Sequence, residues 1–474
     1  MSTHFMNNEF DLIILGGGAA AFAASTKASE LGAKTLMIND GLPIGGTCVN
    51  VGCVPSKHLL EVGKEIFYPQ RPRFEAVAAA KNGFDFVRAM REKNQLVEML
   101  RQANYLDVLE HQKQHVTFIK GRAEFILENE VTANGERYRA KRFLIAIGSS
   151  TRLIPFPGLD KVNYLTNVTL MNLQKQPQSL IVIGAGPLGL EFAQMFAHFG
   201  TKVTVIEIEK QILPLEEPKI AAELHRNLAA EGITIYTSAR TQSVAEENGR
   251  KIVHVEVNGE TLRLEADELL MATGVVGNVK DMGLEKIGVE LEKGSYVKVD
   301  KYFRTSVDNI YAAGDVIGPP FLETIAAKEG NFAAQNALKK AKKTINFDEV
   351  PHAVFTSPEV ASVGLTEAEY MRRYKYCYCR TIDFSRVPKA LAIKDTRGVI
   401  KMVIHHEKRT VMGVHICAPV AADMIHEATL AVKFGLTIDD IIDTVHVFPT
   451  FSEAIKLVAQ SFVTDIGKMS CCVV

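Results

Sequence analysis

The sequence predicts an α/β protein with two Rossmann-like dinucleotide-binding domains and a C-terminal α+β domain. Three observations predict it. Short apolar runs at Phe10–Leu15 and Leu180–Ile183 both stop at glycine-rich turns and give way to helical stretches. The two turns lie 168 residues apart, a separation that suits tandem domains better than a solenoid repeat. From Val350 the pattern changes to β-rich alternation at Phe355, Val360, Val363, 399–404 and 411–416, followed by helices to Lys468.

At roughly 100–200 residues per domain, 474 residues allow about three domains. Hydrophobic residues make up 47% and charged residues 23%, the balance of a soluble globular chain. A net charge of −1 gives no reason to expect nucleic acid as a partner. No apolar run reaches the length of a membrane span, and the polar stretch before Phe10 has neither a basic flank nor a cleavage site, so no membrane partner and a cytoplasmic location are expected.

The first unit runs from Phe10–Leu15 through Gly16-Gly17-Gly18 into an Ala-rich helix, with Ala21 closing a Gly-x-Gly-x-x-Ala fingerprint. Such glycines let the backbone approach a pyrophosphate at a helix N-terminus. The next strand, 36–38, ends at Asn39 and Asp40, and either residue could meet a ribose. This unit closes at Phe143–Gly148, and Pro155–Pro157 marks the passage onward, which places the first domain at 1–150.

The second unit, expected over 151–277, carries Gly184-x-Gly186-x-x-Gly189 and closes at Leu269–Gly274. Its next strand ends at Glu207, twenty-three residues after Gly184. A carboxylate there accepts hydrogen bonds from a ribose diol and repels a 2′-phosphate, and no arginine follows it, so NADH is expected over NADPH. Residues 278–349 contain a strand ending at Gly314-Asp315 and an Ala-rich helix to Ala341, and should return to the first domain; 350–474 form the third.

Seven cysteines are too few and too unevenly placed for a disulfide scaffold. Cys377, Cys379 and Cys417 sit in apolar or aromatic strand-like stretches and read as small buried or half-buried residues. Cys48 and Cys53 differ. They lie in Gly45-Gly46-Thr47-Cys48-Val49-Asn50-Val51-Gly52-Cys53-Val54-Pro55-Ser56-Lys57, separated by four residues. At helical spacing both sulfurs face one side, close enough for a disulfide, and a positive helix terminus would stabilise a thiolate. Packed core cysteines would need neither the Gly-Gly-Thr approach nor Lys57.

On the GGTCVNVGCVPSK run, the Gly184–Gly189 fingerprint with Glu191 behind it, IYAAGD ending at Asp315 and FTSPEVASVGLT at 355–366, the whole chain resembles the class I pyridine nucleotide–disulfide oxidoreductases. The resemblance implies FAD in the first domain, a nicotinamide in the second and a homodimer through the third, with active sites shared across its interface. It implies FAD held by Gly16, Gly18, Ala21, Asn39 or Asp40, Gly46, Thr47, Lys57, Ala123, Gly148 and Asp315. The nicotinamide falls to Gly184, Gly186, Gly189, Glu191, Glu207 and Gly274, and Lys57 with Glu191 sits beside the isoalloxazine.

Members acting on dithiols carry His-x-His-Pro-Thr-x-x-Glu, whose second His is the acid/base. Here the stretch is His446-Val447-Phe448-Pro449-Thr450-Phe451-Ser452-Glu453. Phenylalanine cannot shuttle a proton, and His446 does not match the missing residue's depth, which disfavours lipoamide and glutathione. Near the end stand Cys471 and Cys472, adjacent thiols of the kind that carry a metal.

With Phe448, these cysteines make the chain similar to the mercuric reductases, in which the C-terminal pair of one subunit hands Hg(II) to the redox pair of the other. Soft thiolates select such an ion, and two suffice for a linear complex. That resemblance implies Hg(II) ligands Cys48, Cys53, Cys471 and Cys472, a flavin-proximal thiolate at Cys53, an interchange thiol at Cys48, a pocket tyrosine at Tyr164 and a catalytic role for Glu453.

The sequence departs from that branch at Glu207, where NADPH use is common, at Phe448, where tyrosine is frequent, and at Val275, where arginine is usual. No cysteine precedes Cys48, so an amino-terminal metal-binding domain is not expected. The alternatives are a disulfide reductase of the dihydrolipoamide dehydrogenase or large thioredoxin reductase type, and a Cys-Cys-Val-Val lipidation box, which lacks a polybasic segment.

Overall fold

The computed structural model describes residues 8–376 and 378–468. They divide into two compact units, one made of the chain to Ser56 with Met90–Arg152 and Gly274–Ile345, the other of Lys57–Ala89, Leu153–Thr273 and the chain from Asn346. Residues 57–89 therefore group with the second unit, away from the rest of 1–150.

The first unit is built on a mixed sheet. Strands Val116–Lys120, Thr35–Asn39, Glu9–Leu15, the C-terminal half of Glu136–Ile145 and Ile310–Ala312 run parallel, with Ile13 opposite Leu36 and Phe143. The N-terminal half of Glu136–Ile145 pairs antiparallel with Glu130–Ala133, which pairs with Ala123–Leu127. Leu12 and Ile14 pack beneath the helices on one face, while Ile13 and Leu15 pack on the other. A strand covered on both faces needs an unbroken apolar run, which is how 12–15 reads. Each of these fully buried aliphatic side chains contributes about 1.5–3 kcal/mol.

Helices Ala19–Glu30 and Glu323–Lys339 lie against one another on that sheet. Their close approach depends on Gly330, where a Cβ would fall 2.0 Å from the Ala20 carbonyl oxygen.

In the second unit, strands Thr234–Tyr236, Lys202–Ile206, Ser179–Ile183 and Glu268–Met271 form a parallel sheet. A three-stranded antiparallel meander, 239–266, is inserted before its last strand. The C-terminal region is a five-stranded antiparallel sheet in the order His352–Val354, Glu359–Gly364, Val411–Ala418, Val399–Ile404, Cys379–Asp383. Helix Ala421–Phe434 covers it. Cys417 is buried and Cys379 half-buried; Cys377 lies outside the described residues. Among the described residues no helix is long and apolar enough to cross a membrane.

Candidate functional site

Two glycine turns are built alike. At Gly16, φ is +127° and a Cβ would lie 2.1 Å from the Ala146 carbonyl oxygen; at Gly184, φ is +109° and a Cβ would lie 2.2 Å from that of Ala272. Side chains are excluded at both by strain and by contact. The helices that follow, Ala19–Glu30 and Pro187–His198, have Gly18 and Gly186 as N-caps, with no side chain capping either. Each therefore presents bare N–H donors and a positive dipole end over a glycine surface, the arrangement that fits a dinucleotide pyrophosphate.

Around the first turn, Gly46 closes on Gly18, since a Cβ on Gly46 would fall 2.7 Å from the Gly18 Cα. Ala21 is fully buried in the helix, Ala123 is buried at the start of its strand, and Thr47 is exposed. Of the two ribose candidates, Asn39 stands against Gly17, while Asp40 is exposed. Asp315 accepts a 2.7 Å hydrogen bond from the Ser149 hydroxyl, next to Gly148, and burial raises its pKa despite that bond.

In the second turn, Glu207 is 7% exposed and folds back onto the backbone: one oxygen accepts from Ala185 N at 2.7 Å and the other from Glu209 N at 2.9 Å. The carboxylate is thus fixed at the strand end beside the fingerprint. Gly274 accepts from Arg152 N within the first unit. Glu191, on the helix behind the fingerprint, pairs with Lys57 at 2.7 Å and accepts from Phe355 N at 2.9 Å.

The thiols are unlinked and hydrogen-bonded to each other. They are not on one helix. Cys48 belongs to Gly46–Val51 and Cys53 opens Cys53–Phe67, the chain breaking at Gly52, where a Cβ would fall 2.9 Å from the Thr47 carbonyl oxygen. The pair forms across a bend rather than along one face. The bond to Cys53, burial and the charges of Cys53 and Glu323 push the Cys48 thiol up. Sequence reasoning missed Glu323, whose charge is among the causes that raise the Cys48 thiol; a group 275 residues distant leaves no local signal.

Tyr164 packs against the apolar cluster of Leu159, Val162 and Ile183 in the second unit. Phe448 is half exposed. His446 is held by Glu427 at 2.8 Å and by the Thr444 carbonyl oxygen at 2.9 Å. Glu453 opens helix Glu453–Gln460 with its Oε2 buried and without a hydrogen-bond partner, and burial raises its pKa. Cys471 and Cys472 lie outside the described residues.

Residues 10–341 match the family model for pyridine nucleotide-disulphide oxidoreductases, and 350–459 match the dimerisation domain of that family. The chain is 38% identical to a mercuric reductase of Streptomyces lividans, covering 98% of both chains, and 38% identical to one of Bacillus cereus, covering 98% of this chain and 73% of that protein. It is 32% identical to a mitochondrial dihydrolipoyl dehydrogenase of Pisum sativum, covering 96% and 92%. Among solved structures, the HOCl-induced flavoprotein disulfide reductase RclA of Escherichia coli, as its Cu(II) complex, superposes with a TM-score of 0.85 at 27% identity, covering 96% of this chain and 100% of that one. The chain belongs to the pyridine nucleotide–disulphide oxidoreductase family.

Proposed function

We propose that this protein is a homodimeric mercuric reductase that reduces Hg(II) to Hg(0) with NAD(P)H through Cys48 and Cys53, Hg(II) being delivered by Cys471 and Cys472 of the partner subunit. Membership of the family implies FAD and a nicotinamide dinucleotide. Bound FAD would supply two-electron transfer between the nicotinamide and the Cys48/Cys53 site. The uncapped helix at Gly16–Gly18 would hold its pyrophosphate and Asp315 its ribityl–phosphate region; Gly184–Gly189 and Glu207 would hold the nicotinamide cofactor, favouring NADH.

The observation that carries the choice of substrate lies at 446–448. The imidazole there is tied to Glu427 and Thr444, and the next position facing the same way is Phe448. Neither is free to protonate a departing thiol. Exchange of Hg(II) between sulfur ligands needs no such group: Cys48 forms one Hg–S bond as the first thiol ligand leaves with its proton, Cys53 forms the second as the other ligand leaves likewise, and two electrons from NAD(P)H convert the bound ion to Hg(0), which departs and leaves both sulfurs as thiolates. The match to the family's dimerisation domain supports the homodimer.

The second reading is a disulfide reductase, favoured by the resemblance to dihydrolipoyl dehydrogenase and to RclA. One assay separates them. Oxidation of NADH and NADPH by the FAD-loaded protein is followed with Hg(II) in excess thiol, and in parallel with lipoamide, oxidised glutathione and thioredoxin. Hg(II)-dependent oxidation with little disulfide reduction is expected; the reverse pattern would replace this function with the second.

A further inference from the structure

The turn that leads into the thiol segment is held by one side chain. Asn50, 8% exposed, directs its amide nitrogen at three main-chain oxygens, those of Pro43 at 3.0 Å, Ile44 at 3.2 Å and Gly46 at 2.8 Å. A carboxamide has two N–H donors, so one of them is shared between two carbonyls. The Asn50 oxygen accepts from Arg101 Nη1 at 3.0 Å, and Arg101 is itself paired with Glu98 on the same helix, Phe86–Arg101. Both polar atoms of the amide are therefore in use, and the guanidinium polarises it toward stronger donation. The three oxygens bracket a turn in which Gly45 and Gly46 have φ of +99° and +64°. Ahead of the turn's exit, Gly45 N donates to the Gly17 carbonyl oxygen at 2.7 Å and Gly46 closes on Gly18, within the first fingerprint. Beyond it, Gly46–Val51 carries Cys48 and ends at the bend where Cys53 begins the next helix. Asn50 lies between the two sulfurs in the chain, and all of these residues belong to the first unit.

We propose that Asn50 is a positioning residue that serves two ends with one amide: it holds Gly46 against the FAD fingerprint, and it fixes the segment on which Cys48 meets Cys53. The inference rests on the reading above in taking FAD as the cofactor and Cys48 with Cys53 as the redox pair, and it is independent of what that pair reduces. Loosening the turn removes both constraints at once, so FAD retention and disulfide formation should weaken together. A residue that only filled space would lower stability and move neither.

The test uses the FAD-loaded, full-chain protein without Hg(II). Wild type, Asn50→Ala, Asn50→Asp and Arg101→Met are compared with a control, Asn227→Ala. Asn227 is similarly buried, at 6% exposed, and its amide donates to the Glu223 carbonyl and carboxylate oxygens at 2.8 and 2.9 Å, in the second unit. FAD release on dilution is followed by the rise of flavin fluorescence. The fraction of Cys48–Cys53 disulfide at equilibrium in glutathione buffers is read by peptide mass spectrometry after alkylation. In that exchange the two thiols give up two electrons and two protons, an S–S bond forms between them, and one oxidised glutathione becomes two reduced ones.

Asn50→Ala should speed FAD release and raise the oxidised-to-reduced glutathione ratio needed for half-oxidation, each roughly tenfold. Asn50→Asp keeps the shape and the bond to Arg101 but replaces the donors with acceptors, and it should do as much. Arg101→Met leaves the donors in place and should move both readouts in the same direction by roughly threefold. Asn227→Ala should lower Tm and move neither. Unchanged FAD release and disulfide equilibrium in folded Asn50→Ala and Asn50→Asp would overturn the proposal, as would an equal shift in Asn227→Ala, which would reduce the effect to general stability. If neither Asn50 variant folds, unchanged values in Arg101→Met overturn it. A wild type that retains no FAD, or whose pair forms no disulfide, would instead overturn the reading of the site on which the proposal rests.

Discussion

Lys57 Nζ stands 2.7 Å from Glu191 Oε2 and 4.5 Å from the centre of the Phe355 ring, while Glu191 Oε1 accepts from Phe355 N. The carboxylate, with a side-chain exposure of 9%, thus ties a lysine, a helix and the opening of the C-terminal region together. Glu191→Ala leaves Lys57 and the Phe355 amide without their acceptor and should cost about 1–3 kcal/mol in urea denaturation. Glu191→Gln, which keeps an acceptor for the amide, should cost less.

Glu207 should decide the nicotinamide. Its carboxylate is held by Ala185 N and Glu209 N at the end of its strand, where it would meet the ribose. Glu207→Ser should lower kcat/KM for NADH by roughly tenfold, or about 1.4 kcal/mol, and raise the NADPH-to-NADH ratio. An unchanged ratio would remove Glu207 from cofactor selection.

Gly189 tests the fingerprint sterically. A Cβ there would lie 2.1 Å from the Gly184 carbonyl oxygen and 3.2 Å from the Ala272 Cβ. Gly189→Ala must push the helix from the turn, and the expected result is a KM for NADH raised at least about tenfold, with stability lower by about 1–3 kcal/mol. Titration with NADH and thermal melting separate the two effects.

An ion pair between buried Glu216 and half-exposed His352 gives the stability a pH signature. Glu216 bonds to His352 and to Ser362, with His415 nearby. Burial opposes its ionisation, yet those bonds and the His352 charge prevail and lower its pKa, so its contribution is lost as pH falls through that lowered value. For His352, burial is likewise outweighed by Glu216 and the pKa is raised; its contribution is full below the ordinary 6.5 and is lost as pH rises through the raised value. His352→Asn should therefore depress Tm more at about pH 6 than at about pH 9. An equal loss at both would show that the pair is not ionic.

The features set by local chemistry were legible in the sequence. Gly16, Gly184 and Gly189 are required by positive φ or by backbone contact, and such positions announce themselves as glycine wherever they occur. The apolar runs at 12–15 and 180–183 reflect strands covered on both faces. What depended on distant contacts was not legible. The charge of Glu323, on a helix far along the chain, adds to Cys53 and burial in pushing the Cys48 thiol up. The bend at Gly52 was hidden for a related reason: helical periodicity continues through it, and only the closeness of the Thr47 carbonyl marks the break. The choice of Asn39 over Asp40 against Gly17 follows from how the strand end turns, which neighbouring residues of similar polarity do not reveal.

The most direct test of the reaction is a count of its product. Hg(0) vapour stripped from the FAD-loaded protein supplied with NADH and Hg(II) in excess thiol should appear one atom per NADH oxidised. It should vanish in Cys48→Ser/Cys53→Ser and fall sharply in Cys471→Ala/Cys472→Ala. NADH oxidation without Hg(0), alongside rapid reduction of lipoamide or another disulfide, would contradict a mercuric reductase and identify a disulfide as the substrate.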